Sequence, residues 1–308
     1  MQVHETIVAG RTLCRCMTYL SRRIALAAAL VFTSVAPALA AGIGVSGYAS
    51  SNYPAYSPSW SSSASTPGAG PITLAQNDGS DAAFWSLSDF GILHLSLSTH
   101  AESDGVTPHQ SAAGVTVEWA DDLTLTGVTA ADNLYFNSGF WVLGSVSTTA
   151  SQYGLSTTNL WWQFDAWDTN NINHVTYNGQ YVTRSNGFNE GTNFLNTFIP
   201  LSFPVYGTPG TDVTHFRLLL TAGASASATF PGQPSSASSY VDLADTILWG
   251  GLSVVDGNNQ AVVGSVTSQT GFDWTVEQTD APEPGSMSLL AGGLLVVGTI
   301  ARRRRIQA

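Results

Sequence analysis

The chain has 308 residues and a formal net charge of −11, with no lysine. Eight of its ten arginines lie at the ends, which leaves Arg184 and Arg217 against 19 carboxylates between Asp78 and Asp280, a balance of −17. So acidic a body repels nucleic acid and anionic headgroups, which require cationic neutralisation; neutral glycans, divalent cations and other proteins stay open as partners, and the charge also serves solubility.

Arg22 and Arg23 precede an apolar run from Ile24 to Val35, and Ala38-Leu39-Ala40 follows with small residues at the two positions a signal peptidase reads. The expectation is a signal helix over 17–40, cut after Ala40 (the site residues being Ala38 and Ala40). Residues 1–16 fit no part of that pattern and read as a mis-extended start, with translation beginning at Met17. Cys14 and Cys16 are the only cysteines and both fall in that stretch. The mature chain would then hold neither a disulfide framework nor a cysteine metal site, and its stability must come from an apolar core.

Residues 41–70 are rich in serine, glycine and proline, with nine serines between Ser46 and Gly70. That composition buries too little apolar surface to fold alone, so a flexible segment is expected. Its Tyr48, Tyr53, Tyr56 and Trp60 would either touch sugar or pack onto the domain.

From 71 to 280 the pattern is β. In "GILHLSLSTH", Leu93, Leu95 and Leu97 alternate with His94, Ser96 and Ser98; in "GVTVEWADDLTLTGV", Val115, Val117, Trp119, Leu123 and Leu125 share one face. Period-two patterns of this kind mark antiparallel strands with one wet face. Further strands are expected at 139–147, 159–167, 172–184, 197–206 and 213–224. A hairpin is expected from 247–255 and 260–267 around "DGNNQ". The fold class is all-β, a two-sheet antiparallel sandwich of jelly-roll type, with helices only at the two terminal segments.

Motifs for chemistry are sparse. The body histidines, His94, His100, His109, His174 and His215, never sit at metal-ligand spacing, and neither a Gly-x-Ser-x-Gly elbow nor a nucleotide-binding glycine loop occurs. Glycosidases need two carboxylates, and Glu118, Asp121 and Asp122, or Asp165 and Asp168, are the candidates. Asn77, Asp78 and Asp81 form an oxygen-rich turn that offers Ca²⁺ a site, and 256–259 is a similar turn. No other cofactor is indicated. The richest stretch is "NLWWQFDAWDTNN". On a strand, Leu160, Trp162, Phe164 and Ala166 make an apolar face. Trp161, Gln163, Asp165 and Trp167 make the other, mixing aromatic planes with polar groups as a sugar platform does. The alternative is that both faces are covered and the tryptophans only pack. Arg217, in "VTHFRLLLT", is expected to pair with a carboxylate at a sheet margin.

The chain closes on Pro282-Glu283-Pro284, an apolar run from Ser286 to Ala301, and Arg302, Arg303, Arg304 and Arg305. Sixteen residues make roughly 24 Å of helix, short for a bilayer unless the arginines snorkel. The positive-inside rule holds the arginines in the cytoplasm, as it does Arg22 and Arg23, so the body between is exported. The prolines keep the stretch outside the membrane extended, which suits a protease. This stretch resembles the PEP-CTERM sorting signal of Gram-negative bacteria, placed at 281–308. The resemblance implies processing by an exosortase, a transient membrane helix, and delivery to the cell surface or exopolysaccharide matrix. The body, through "SDFGILHLSLS", "VTVEWADDLTLTG" and "VDLADTILWGGLSVVDGNNQAVVGSVTSQTGFDW", also resembles a domain found upstream of such tails, which brings no activity with it.

The sequence therefore predicts an exported surface or matrix protein, non-catalytic, adhesive or glycan-binding. The alternatives are a secreted polysaccharide-active enzyme and a purely structural surface protein.

Overall fold

The computed structural model describes residues 41–51, 59–64, 72–78, 81–128, 133–186, 190–229 and 231–278. The expected signal helix and the C-terminal membrane helix both lie outside these residues. Among the described residues there is no helix at all, so none is long and apolar enough to cross a membrane.

Fourteen strands among the described residues form two antiparallel sheets: β1 (Gly42–Ser51), β2 (Ser59–Ala64), β3 (Ile72–Asp78), β4 (Ala82–Asp89), β5 (Ile92–Ser103), β6 (His109–Thr126), β7 (Tyr135–Ala150), β8 (Gly154–Asp168), β9 (His174–Asn186), β10 (Glu190–Pro204), β11 (Thr214–Ala228), β12 (Ser235–Trp249), β13 (Ser253–Val255) and β14 (Ser265–Ser268). The first sheet runs β2-β1-β6-β11-β8-β9, with β14 also on β6; the second runs β10-β7-β12-β5-β4-β3, with β13 also on β7. From β5 onward the chain changes sheet at almost every connection, and β11 and β12 return to fill the gaps between β6 and β8 and between β5 and β7. That winding of eight strands is the jelly roll.

Alternation drives the sandwich shut. Leu93, Leu95 and Leu97 of β5, Val115, Val117 and Trp119 of β6, and Leu160, Trp162, Phe164 and Ala166 of β8 all enter one continuous core. Part of it is an aromatic cluster: Trp119, Trp249 and Trp274 meet at ring-centre distances of 5.2–5.5 Å, with Phe216 4.9 Å from Trp274. At about 25 cal/mol per Å² of apolar surface, each such ring contributes several kcal/mol of burial.

Two expectations need correction. Residues 41–70 do not form a flexible segment throughout. Gly42–Ser51 is an interior strand, flanked by β2 and β6, with Ile43, Val45 and Ala49 buried. Its alternation is written in small residues. Gly47 has no side chain because the Phe84 ring crosses it: a Cβ there would sit 2.7 Å from the ring. The folded body thus begins near residue 42, not 71. Second, the "DGNNQ" turn forms, with the Asp256 carboxyl accepting the N–H groups of Asn258 and Gln260 at 2.9 Å, yet beyond it only Val255 and Ala261 bridge. The chain then leaves for the other sheet, where Ser265–Ser268 pairs with Leu123–Thr126 of β6. At 18 residues, β6 is long enough to hold both β1 and β14 along one side.

Candidate functional site

Four strands of the first sheet, β6, β11, β8 and β9, align their outward side chains in rows fixed by the register. One row reads Asp122, His215, Trp167, His174; the next Ala120, Arg217, Asp165, Thr176; then Glu118, Leu219, Gln163, Asn178; then Thr116, Thr221, Trp161, Gln180. Trp161, Gln163, Asp165 and Trp167 therefore do share the outward face of β8. The tryptophans are half-buried and six residues apart, roughly 20 Å along a strand.

Asp165 is the centre of this face, and it is 2% exposed. Arg217 Nη2 donates to it at 2.8 Å, Gln163 Nε2 at 2.7 and 2.9 Å, and Thr176 Oγ1 at 2.8 Å; His174 Nε2 lies 3.3 Å away. Burial raises the Asp165 carboxyl, but the donors from Arg217, Gln163 and Thr176 outweigh it and hold it below the ordinary carboxylate range. Arg217 thus has the carboxylate partner expected of it, although it sits inside the face and not at a margin.

Trp167 is held between two imidazoles. Its ring stacks on His215 at 5.7 Å and 19°, and His174 meets its edge at 6.3 Å. His215 Nδ1 in turn lies 2.5 Å from Asp122 Oδ1. Burial raises the Asp122 carboxyl despite that contact. Glu118, 3% exposed, is raised by burial as well, with the charge of Arg217 opposing.

The sequence-level carboxylate candidates are dispersed. Asp121 points inward, where it accepts from Trp274 Nε1 at 2.6 Å, from the Thr270 N–H at 3.2 Å and from the Thr270 hydroxyl. Asp168 caps the β8–β9 turn, accepting the Ile172 and Asn173 N–H groups at 2.8 and 3.2 Å. Only Glu118, Asp122 and Asp165 share the outward face, and Asp165 is saturated with donors. In the β3–β4 hairpin, Asn77 and Asp78 pair with Ala83 and Ala82, and Asp81 Oδ2 lies 3.4 Å from His109 Nε2. Among the described residues no three ligating side chains gather as a metal site. The turn at 256–259 spends its carboxyl on its own backbone.

The histidines are what sequence reading missed. His174 and His215 are 41 residues apart and show no metal spacing, but β9 and β11, on the two sides of β8, bring them to either side of Trp167. His174 also borders an open cleft of about 680 Å³ at this end of the sandwich, lined further by Tyr135, Ile172, Asn173, Val205 and Tyr206.

A family model described as the PEP-CTERM protein-sorting motif matches residues 280–305. The chain carries a PEP-CTERM sorting motif. Pro282, Glu283, Pro284 and Arg302 to Arg305 fall within the match, and the described body ends just before it, at Gln278. PEP-CTERM sorting implies an exported surface protein processed by an exosortase. No curated protein matches the chain. A solved structure of carbohydrate-binding modules from the beta-sandwich super family, described for their promiscuous specificity, aligns at 8% identity with a TM-score of 0.13. That alignment covers 67% of this chain and 85% of its own. A score that low carries no weight for fold or function.

Proposed function

We propose that this PEP-CTERM protein is a non-catalytic adhesive or glycan-binding component of the cell surface or exopolysaccharide matrix, and that the outward face of β8 and its neighbours is its binding platform. The observation that carries this reading is the pair Trp161 and Trp167, set along one outward strand face with a hydrogen-bonded polar row between them. Rings at that spacing suit separate residues of a neutral polymer, stacking on C–H-rich sugar surfaces while Gln163, Thr176 and Asn178 meet hydroxyls. Asp165 is already saturated, so it orients the face and does not attack. Glu118 has the raised carboxyl a general acid needs, but it is buried, which argues against the polysaccharide-active alternative. On this reading the tail is a transient anchor, and signal peptidase and exosortase are processing partners.

The test is binding of the full chain to the host's own exopolysaccharide, with and without Ca²⁺, beside a Trp161→Ala, Trp167→Ala double variant. The expected result is Ca²⁺-independent binding, weakened at least about tenfold in the variant, since a lost aromatic stacking contact is worth about 1–3 kcal/mol. Equal binding by both proteins would dismiss the platform. A Ca²⁺ requirement would move the site to the Asn77, Asp78 and Asp81 turn, and cleavage of the polymer would favour the enzyme.

A further inference from the structure

Strand β10 ends the second sheet, and no described strand pairs with its outer side. The direction of its backbone groups can be read from its neighbours. The Gly139 carbonyl accepts from the Gly250 N–H, towards β12, so the Gly139–Pro200 pair exchanges no hydrogen bonds and Pro200 turns its nitrogen to the open edge. Ser202, in the same phase, gives its carbonyl to the Tyr177 hydroxyl of β9. Thr192, Phe194, Asn196 and Phe198 share that phase, so their N–H and C=O groups line the open edge.

Sheet edges of this length are ordinarily protected by charge, proline or a bulge. Pro200 blunts one end. From Thr192 to Phe198 nothing does, and Glu190 is the only charged residue of the strand. The side chains are equally open: Phe194 is 85% exposed and Phe198 39%, with the Phe198 ring 5.1 Å from Trp141. Two bodies that each carry −17 repel across most of their surface. β9 and β10 are among the strands nearly free of charge, holding Glu190 as their only carboxylate, with Arg184 to offset it. A second copy therefore meets little repulsion along this edge.

We propose that β10 pairs antiparallel with β10 of a second copy about a two-fold axis at Asn196, joining the second sheets of two molecules into one. That register sets Phe194 against the partner's Phe198 twice, on the same outward face, as cross-strand aromatic pairs. Two hydrogen bonds per bonded pair, less the donors missing at the two Pro200 positions, give about eight inter-chain backbone bonds. The interface is isologous and closes at two copies. Because the approach is between like-charged bodies, added salt strengthens it.

Sedimentation velocity of the full chain, in a mild detergent that disperses the apolar tail, tests this over a concentration series. The expected result is a reversible dimer that tightens with salt. Asn196→Pro should abolish it while leaving the thermal midpoint unchanged, because that N–H has no strand partner among the described residues of one molecule. Should that variant misfold, Phe194→Ser with Phe198→Ser, both on exposed positions, should weaken the dimer roughly tenfold or more. A chain monomeric at every concentration overturns the proposal and reserves the edge for a different partner. A dimer indifferent to both variants overturns it as well and places the contact elsewhere.

Discussion

Asp165 and Glu118 lie on the same outward face, on either side of β11, and their environments push them apart. Asp165 accepts from Arg217, Gln163 and Thr176 and is lowered; Glu118 is buried with no comparable set of donors and is raised, as is Asp122. The consequence for stability follows from proton linkage. A raised carboxyl binds its proton more tightly when folded, so Glu118 and Asp122 stabilise the fold as pH falls from neutral through their raised values. A lowered carboxyl does the reverse: the contribution of Asp165 is complete above the ordinary aspartate value and is lost as pH falls through its lowered one. Stability measured by urea unfolding should therefore peak on the mildly acidic side of neutral and then fall steeply below about pH 4. Glu118→Gln should remove part of the rise and be more stable than the parent at pH 7. A profile flat from neutral to mildly acidic pH, or a Gln variant less stable at pH 7, would show that Glu118 carries its charge at no cost.

At the scale of the element, alternation was readable wherever apolar and polar residues differ in kind. β5 and β8 were legible for that reason, and so was the division of "NLWWQFDAW" into a core face and an outward face. β1 was not, because Ile43, Val45, Gly47 and Ala49 alternate with Gly44, Ser46 and Tyr48, and the surrounding serines dominate any average. β6 hides a different feature. Its inward phase runs Val117, Trp119, Asp121, Leu123, so a carboxyl occupies a core position that pattern alone assigns to an apolar side chain. The reason lies 149 residues on. Residues 269–278 fold back over this end of the core, and Asp121 accepts from Thr270 and Trp274, while Trp249 Nε1 donates to the Trp274 carbonyl at 2.8 Å. This clasp secures the last described segment before the PEP-CTERM motif. Asp121→Ala strands the buried Trp274 indole N–H and takes one partner from the half-buried Thr270 hydroxyl, at a cost of about 1–3 kcal/mol. Protease cleavage within 269–278 should rise in step with the lost stability. A variant within about 0.5 kcal/mol of the parent would mean water replaces the carboxyl at no loss.

For the whole molecule, the jelly-roll winding was only partly legible: strand number and spacing indicate two sheets, but the placement of β11 between β6 and β8 depends on long-range pairing that no local pattern carries. It is that placement which assembles the outward face, since β8 supplies the tryptophans and β11 supplies His215 and Arg217. The sorting motif, and the signal cleavage expected after Ala40, both fall close to the described body. Ala40 is followed after one residue by β1, whose Ile43 is fully buried between β2 and β6, and Gln278 is followed after one residue by the sorting motif at 280. Signal cleavage even a few residues later would remove Ile43 from the core, while an uncut leader would hang from an interior strand. At the other end the cut has only to fall beyond the Trp274 clasp for the body to leave intact. Intact mass of the protein taken from its host should therefore show a chain starting at or next to Ala41 and lacking Leu289 to Arg305. A mature chain that retains those residues would make the tail a permanent anchor, and one that begins after Ile43 would contradict the position of β1 inside the sheet.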